Sequence, residues 1–245
     1  MFKKLFTEFL NTEEVKRFET ANAVTPQRRR ALTFGAVLMF SNREPLRTFK
    51  MMHAGPGQIE SLRTGFGEWW GIYDEDEALE VLEYLSKAEG HAPFANQLYQ
   101  QHIAPKRKDK RFGVRDENTG NQRADQGLKA YDQVWYDLQR FPGKDHKYAS
   151  EELLAVENFA AWDLGRVVYI ARNSVALGYL EEERVWQYIE KAADMASGIY
   201  SGWREYLAAY CLGRALGYGS YKNIDLEVKY LLKDDNSPYK DSKFK

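Results

Sequence analysis

Hydrophobic residues recur every three or four positions along most of this chain, which is the spacing of α-helices that bury one face. Residues 74–86 are a clear example, because Ala78, Leu82 and Leu85 share one helical face. Comparable spacing predicts further helices at residues 2–9, 26–40, 59–70, 93–102, 128–138, 181–197 and 202–216. No stretch alternates apolar and polar residues as a half-buried strand does. The sequence therefore predicts an all-α fold, a single-domain irregular helical bundle over residues 1–245.

The longest predicted helix covers residues 150–177. Ser150 is a suitable N-terminal cap, acidic residues follow in the first turn, and Gly178 provides a stop. With the two helices that come after it, this helix forms a segment at residues 150–217 that we expect to pack as one group. The polar tail at residues 233–245 is expected to be loose.

The charge balance and the single cysteine limit the classes of function. Lysine and arginine total 35 against 36 aspartates and glutamates, which disfavours a surface built throughout for nucleic acid or anionic lipid. Cys211 cannot form an intramolecular disulfide, which fits a reducing compartment, so we expect a cytoplasmic protein. The most apolar stretch, residues 31–40, is about half of the ~20 residues that a membrane span needs. We interpret it as a buried helix and expect no membrane span.

No catalytic or metal-binding motif is recognisable in the sequence. The four histidines, at positions 53, 91, 102 and 146, lack a second histidine or cysteine at helical spacing, so we expect no metal and no cofactor. The glycine pairs do not extend into a phosphate-binding loop, and no G-x-S-x-G element occurs. Cys211 lies in an apolar helical stretch, which disfavours a reactive thiolate. These observations favour a protein without catalytic activity but leave an enzyme open.

Charged residues inside the apolar run AAWDLGRVVYIARNSVALGYL, residues 160–180, are the main candidates for a site. A buried Asp163 must be paired, and we expect it to bond to Arg166 or to Arg214 of another helix. Two interpretations are open. The favoured one is a polar seam that fixes helix packing, and the other is a cleft in which Asp163 is a base or ligand and arginines hold an anion. The catalytic set of the second interpretation is Asp163, Arg166, Arg172, Glu183, Arg214 and His91.

Residues 104–126 are polar, basic and glycine-dotted, which predicts an exposed loop. Such a loop is either a plain solvated connection or a surface for an acidic protein partner. Only Phe112 is interleaved among the cations to stack on a base, so nucleic acid is not the expected partner. The candidate partner-binding residues are Lys106, Arg107, Lys108, Lys110, Arg111 and Arg115.

One set of residues resembles the sequence pattern of a known family in its order and spacing. The set is Trp70-Gly71-Ile72, Gly90-His91, Ala161-Trp162-Asp163-Leu164-Gly165-Arg166, Arg172, Gly178-Tyr179-Leu180, Glu183, Trp186, Ser201-Gly202-Trp203, Tyr206, Tyr210 and Gly213-Arg214. Over about residues 65–217 it resembles the bacterial family of domain of unknown function 1266. The resemblance implies a helical, soluble, bacterial protein, and some relatives in toxin and immunity or secretion-associated settings. It implies no reaction and no catalytic roles.

The leading hypothesis is a cytoplasmic protein-binding module, either an immunity protein that neutralises a bacterial toxin or a secretion-system accessory. The alternative is an enzyme or toxic effector that acts on an anionic small molecule through the cleft around Asp163. The sequence leaves the oligomeric state open.

Overall fold

A computed structural model describes residues 12–52, 55–108, 114, 117–140, 148–220 and 224–245. Within these ranges the regular elements are helices, and the β-type pairing is an isolated antiparallel bridge between Ala23 and Thr48. The predicted all-α fold is therefore confirmed. None of the helices in these ranges has the length and hydropathy that crossing a bilayer requires.

The helices are labelled in chain order. They are α1 (Glu13–Ala21), α2 (Pro26–Thr33), α3 (Ala36–Ser41), α4 (Pro56–Trp70), α5 (Glu75–Ser86), α6 (Ala92–Leu98), α7 (Ala104–Lys108), α8 (Gln122–Gln139), α9 (Ser150–Leu154), α10 (Ala161–Ala176), α11 (Glu182–Ile199), α12 (Trp203–Tyr218), α13 (Ile224–Lys233) and α14 (Pro238–Asp241). A π-helical segment, Tyr99–Ile103, joins α6 to α7.

Local sequence explains where several helices begin and end. The Asp74 side chain caps α5 by accepting the N–H of Glu77 at 3.1 Å, and acidic residues occupy the first turn at the positive end of the helix. Asn121 caps α8 in the same way through two backbone N–H groups of the first turn. Helix α4 ends at Gly71, whose φ of 65° is the left-handed conformation that glycine adopts without a Cβ penalty.

The chain divides into two compact units, each assembled from separate segments. The first comprises Met1–Lys87, Leu164–Met195 and Asp234–Lys243, and the second comprises Ala88–Asp163, Ala196–Lys233 and Phe244–Lys245. The expectation of a single domain stays a prediction.

In the first unit, a close backbone approach interrupts the helix predicted at residues 26–40. The chain turns at Gly35, between α2 and α3, and a Cβ on Gly35 would lie only 2.3 Å from Cβ of Val168. The turn lies in the core of this unit, where Phe34, directly before Gly35, and Trp186 of α11 are both buried. The turn exists because only glycine lets the backbone lie this close to Val168.

In the second unit, α8 lies along α12 with close backbone contact. A Cβ on Gly127 would lie 2.5 Å from the carbonyl oxygen of Leu216, and one on Gly213 would lie 2.9 Å from the carbonyl oxygen of Phe159. Glycine at both positions allows this approach. Most residues of α12 are buried, among them Cys211, which is a core residue.

The helix predicted at residues 150–177 is in fact two helices, α9 and α10, separated by residues 155–160. Hydrogen bonds from elsewhere in the second unit hold this separation. The hydroxyl of Tyr200 donates to the carbonyl oxygen of Asn158 at 3.0 Å and accepts the N–H of Ala161 at 2.9 Å. These bonds satisfy backbone groups that a continuous helix would have paired internally.

Two segments predicted to be irregular contain helices. The tail at residues 233–245 includes α14, with Tyr239 buried, because Arg47 in the first unit donates to the carboxylate of Asp241 at 2.9 Å and holds it in place. The predicted loop at residues 104–126 differs from the structure at both ends, where α7 and the start of α8 lie.

Candidate functional site

Asp163 lies in the first turn of α10 and is fully buried. Its Oδ2 accepts the N–H groups of Gly90 and Ala92 at 2.9 and 3.0 Å, and its Oδ1 accepts the N–H of His91 at 2.9 Å. Three backbone donors compensate the carboxylate for lost water and hold the turn that starts α6. The predicted burial is confirmed, and these backbone partners are ones that the sequence analysis missed.

The geometry around Asp163 favours structure over catalysis. A general base needs an acceptor directed at its substrate, whereas both oxygens of Asp163 face backbone amides. His91 is close, but its Nδ1 is 3.9 Å from Oδ1, beyond hydrogen-bond distance, and its half-buried ring packs edge-on against Tyr218. Arg214, the third candidate in this unit, has its guanidinium 5.5 Å from the ring centre of Trp162.

Arg172, in the first unit, holds the loop that follows α3. Its buried guanidinium donates to the carbonyl oxygens of Pro45 at 2.8 Å and Lys50 at 2.7 Å. Burial lowers the pKa of Arg172 to about 10, while the Glu44 carboxylate, 3.8 Å away, raises it. This guanidinium is therefore directed at the protein backbone, which leaves it poorly placed to bind an anionic ligand.

The other two candidates in the first unit contact different groups. The guanidinium of Arg166 is 5.6 Å from the ring centre of Trp70. The exposed Glu183 accepts two hydrogen bonds from Arg28, at 3.0 and 2.6 Å, which lower the pKa of the carboxyl. Arg28 in turn lies 4.5 Å from the ring centre of Trp186. Arg172 and Glu183 thus bond to different partners, Arg172 to backbone carbonyls and Glu183 to Arg28.

Only part of the predicted basic partner surface lies in the described residues. Lys106 forms an ion pair with Glu117, which lowers the pKa of that carboxyl. The half-buried Arg107 donates to the hydroxyl of Tyr99 at 3.0 Å and lies 4.9 and 4.8 Å from the ring centres of Tyr99 and Trp135. It packs within the second unit instead of extending into solvent. The side chain of Lys108 and the residues Lys110, Arg111 and Arg115 lie outside the described residues.

Exposed aromatic residues at the end of α4 are functional candidates that the sequence analysis missed. Trp69 is 80% exposed and Tyr73 is 64% exposed. In contrast, Phe66 and Trp70 pack on the ring of Tyr169, with centroids 6.3 and 6.1 Å away. Consecutive helical residues point about 100° apart, so adjacent tryptophans on a helix with one buried face differ in burial. The Trp-Trp pair was therefore the signal available in the sequence.

Exposed carboxylates neighbour Trp69 and Tyr73 in the sequence. Glu68, Asp74 and Asp76 are exposed at the end of α4 and the start of α5. The backbone N–H of Tyr73 donates to the carboxylate of Glu77 at 2.6 Å, and its ring lies against Gly67, where a Cβ would be 2.3 Å from Cε1. The Tyr73 ring is consequently held in place while much of it stays in contact with water.

The described residues provide little for a metal or a small ligand. No group of three or more histidine, cysteine, aspartate or glutamate side chains among them could hold a metal ion. The second unit has an open cavity of about 410 Å³ lined by Asn118, Gly120, Gln122, Asp125, Gln126 and Lys129. The Asp125 carboxylate there accepts the N–H and the hydroxyl of Thr119, both at 2.8 Å, and so serves the turn before α8.

Comparison with known proteins identifies a family of unknown function. The model of the family described as "Protein of unknown function (DUF1266)" matches residues 66–244, which is more than half of the chain. No curated protein and no solved structure matches the chain.

Proposed function

The chain belongs to the DUF1266 family, and we propose that this member is a protein-binding module that acts without chemistry of its own. The observation that carries the proposal is the exposure of Trp69 at the end of α4. Tryptophan and tyrosine are enriched among the residues that dominate binding energy at protein interfaces. A tryptophan that is 80% exposed contributes little to folding, so its ring is available for a contact outside the chain.

The engagement of the candidate catalytic charges supports the same proposal. Asp163 accepts three backbone N–H groups, and Arg172 donates to two backbone carbonyls. Charges held in this way stabilise turns and loops and are poorly placed to move protons or bind an anion. An enzyme or toxic effector built on Asp163 and the arginines is the weaker alternative for this reason.

The more specific proposal is a cytoplasmic immunity protein that neutralises a bacterial toxin, or an accessory of a secretion system. The settings that the family resemblance implies support it, as does the lack of any recognisable catalytic motif in the sequence. Tight neutralisation requires a few well-placed aromatic anchors, and Trp69 and Tyr73 are suitable ones.

Affinity capture from the native cell tests this function, combined with identification of the neighbouring reading frame. The expected result is one protein recovered at near-equal stoichiometry, whose toxic activity the chain inhibits. Trp69→Ala should abolish recovery, while Tyr136→Ala, which removes an exposed aromatic side chain from the second unit, should not. If expression of the chain itself is toxic, and Asp163→Asn removes the toxicity without unfolding the protein, the enzyme alternative replaces this proposal.

A further inference from the structure

We propose that the second unit binds an acidic segment of the protein partner through the guanidinium of Arg123. The docking surface consists of His91, Phe94, Arg123 and Tyr218, all in the second unit, and we call it the Arg123 surface. The inference rests on the proposed function, because it names the chemistry that such a binding module would recognise in its partner. Arg123 lies within residues 104–126, which the sequence suggested as a partner surface, although it was not among the candidates there.

A closed circuit of contacts joins the four residues of this surface. The guanidinium of Arg123 lies 4.2 Å from the ring centre of Phe94, and its Nη2 donates to the carbonyl oxygen of Gly217 at 3.0 Å. Tyr218 follows Gly217 directly, and its ring lies edge-on to the ring of His91 with a centroid distance of 6.2 Å. His91 is the N-cap residue of α6, and Phe94 lies in the first turn of the same helix. The circuit therefore closes within one patch of the second unit.

The side chain of Arg123 is exposed but fixed in orientation. The ring of Phe94 and the carbonyl of Gly217 hold the planar guanidinium, so a partner would have little conformational freedom to remove on binding. A guanidinium has several N–H donors, and the bond to Gly217 uses one of them. Within the described residues, no carboxylate forms an ion pair with Arg123. The remaining donors are consequently available to an acceptor from outside the chain.

Two carboxylates near this surface are already engaged. Asp125, two positions after Arg123, accepts the N–H and the hydroxyl of Thr119, both at 2.8 Å, and these bonds lower the pKa of its carboxyl. Asp163, whose Oδ1 is 3.9 Å from Nδ1 of His91, is fully buried and accepts three backbone N–H groups. Each of these carboxylates thus has intramolecular partners other than Arg123.

The other charges close to the surface leave a positive balance. The three segments that form it, residues 88–94, 121–129 and 213–220, contain the basic residues Arg123, Lys129 and Arg214 against the acidic residues Glu89 and Asp125. The positive end of α8 and the negative end of α12 both lie here, so the two helix dipoles oppose each other. The charge of Arg123 therefore decides the sign of the preferred occupant.

A protein carboxylate fits this surface better than a nucleic acid does. One guanidinium can donate two parallel hydrogen bonds to one carboxylate. Tyr218 is 63% exposed, and tyrosine and arginine are both enriched among residues that dominate binding at protein interfaces. A nucleic acid, in contrast, repeats its charge along the backbone and is held by a row of cations, whereas the net charge of this chain is -1.

Binding of labelled peptides to the full chain tests the inference at about 0.15 M salt, where long-range attraction is screened. The probes are short peptides in which glycine alternates with glutamate, glutamine or lysine. The glutamate peptide should bind about fivefold or more tightly than the glutamine peptide, and the lysine peptide should not bind. Arg123→Gln should weaken binding of the glutamate peptide about tenfold. Equal binding of the glutamate and glutamine peptides would overturn the inference.

Two further variants separate the binding role of Arg123 from its structural bond to Gly217. Arg123→Lys keeps the charge but loses the planar fork, so it should weaken binding of the glutamate peptide about threefold or more. It decides the matter if Arg123→Gln does not fold, because parent-like binding by a folded Arg123→Lys protein contradicts recognition by the guanidinium. Glu89→Gln removes an opposing exposed charge and should tighten binding about twofold.

Arg140→Gln is the matched control for loss of an exposed guanidinium from the second unit. Arg140 is exposed, and its guanidinium lies 5.5 Å from the ring centre of Tyr136. In the described part of the chain, no hydrogen bond fixes its side chain as Gly217 fixes that of Arg123. Arg140→Gln should bind the glutamate peptide as the parent does. Equal weakening by Arg140→Gln and Arg123→Gln would show that net charge alone attracts the peptide, which contradicts the inference.

Capture of the native partner separates the inference from the proposed function. If capture requires Trp69 but is unaffected by Arg123→Gln, the binding module stands and the acidic segment is wrong. If an oligonucleotide binds more tightly than the glutamate peptide and Arg123→Gln abolishes that binding, the surface recognises nucleic acid and the inference is also overturned. Loss of capture in both Trp69→Ala and Arg123→Gln, with loss of glutamate-peptide binding in Arg123→Gln alone and circular dichroism unchanged, supports both.

Discussion

Replacing Asp163 by alanine tests the most buried charged contact of the second unit. The substitution removes a carboxylate that accepts three backbone N–H groups, from Gly90, His91 and Ala92, at 2.9, 2.9 and 3.0 Å. The alanine side chain has no atom that can accept these hydrogen bonds. The turn that starts α6 would then keep three donors without their partner.

The magnitude follows from the number of donors and their access to water. Each buried donor left unsatisfied costs about 1–3 kcal/mol, so three independent donors would give roughly 3–9 kcal/mol. Gly90 and His91 are only half-buried, and water can replace part of their lost bonds. We therefore expect Asp163→Ala to lower the free energy of unfolding by ~3–5 kcal/mol. Asp163→Asn keeps one acceptor oxygen and should cost about half as much.

Urea unfolding followed by tryptophan fluorescence and far-UV circular dichroism measures these differences. Asp235→Ala, at an exposed position, is the matched control and should change the free energy of unfolding by less than ~0.5 kcal/mol. If Asp163→Ala is as stable as the control, the carboxylate does not hold the turn and the reasoning is wrong. A stable Asp163→Ala protein that has lost its biological activity would instead favour the catalytic cleft.

Three further predictions concern packing, the basic segment and pH. Gly127→Ala should destabilise the protein by ~1–3 kcal/mol in thermal unfolding, because the added Cβ would lie 2.5 Å from the carbonyl oxygen of Leu216. The control is Gly65→Ala, whose Cβ would have no atom within 4 Å. It should be neutral or stabilise the protein by up to ~1 kcal/mol. Arg107→Ala should lower the free energy of unfolding by ~2–4 kcal/mol and leave partner capture unchanged. Loss of capture with an unchanged melting temperature would instead assign Arg107 to the partner surface. Burial raises the pKa of Tyr200 above its ordinary 10.0, so the unfolded chain releases this proton first. The stabilisation that comes from protonated Tyr200 should be complete below pH ~10, and it should be lost as the pH rises further. In urea titrations, Tyr200→Phe should make the fall in the free energy of unfolding at alkaline pH less steep. An equally steep loss in the variant would contradict the assignment.

The hydrophobic spacing predicted much of the fold because a helix that buries one face has apolar residues every three or four positions, which is visible in a short stretch of sequence. Helix α5 starts one residue after its predicted beginning, and α11 differs from its predicted range by two residues or fewer. The break between α9 and α10 has no such pattern in the sequence. It is held by Tyr200 and by Asn96, whose side-chain oxygen accepts the N–H of Phe159 at 2.9 Å. Contacts between residues this far apart in the chain do not appear in any local window.

The candidate site shows the same division between local and distant information. Burial of Asp163 follows from its apolar neighbours, and the structure confirms it. Its backbone partners do not follow, because these donors at positions 90–92 lie more than 70 positions earlier in the chain. Trp69 was missed for a different reason: composition alone assigns a tryptophan to the core, and only its angle relative to Trp70 separates them.

The residues that carry the family resemblance are accounted for by packing in several places. Gly90-His91 supplies backbone donors to Asp163, and Gly213 lets α12 lie against Phe159. A sequence pattern that records contacts of this kind identifies a fold and does not by itself indicate a reaction. What distinguishes one member from another in function must then lie on surface that the fold does not use. At the edge of the pattern, directly before Trp70, Trp69 is such a surface residue, and this is why the proposed binding function is assigned to the end of α4.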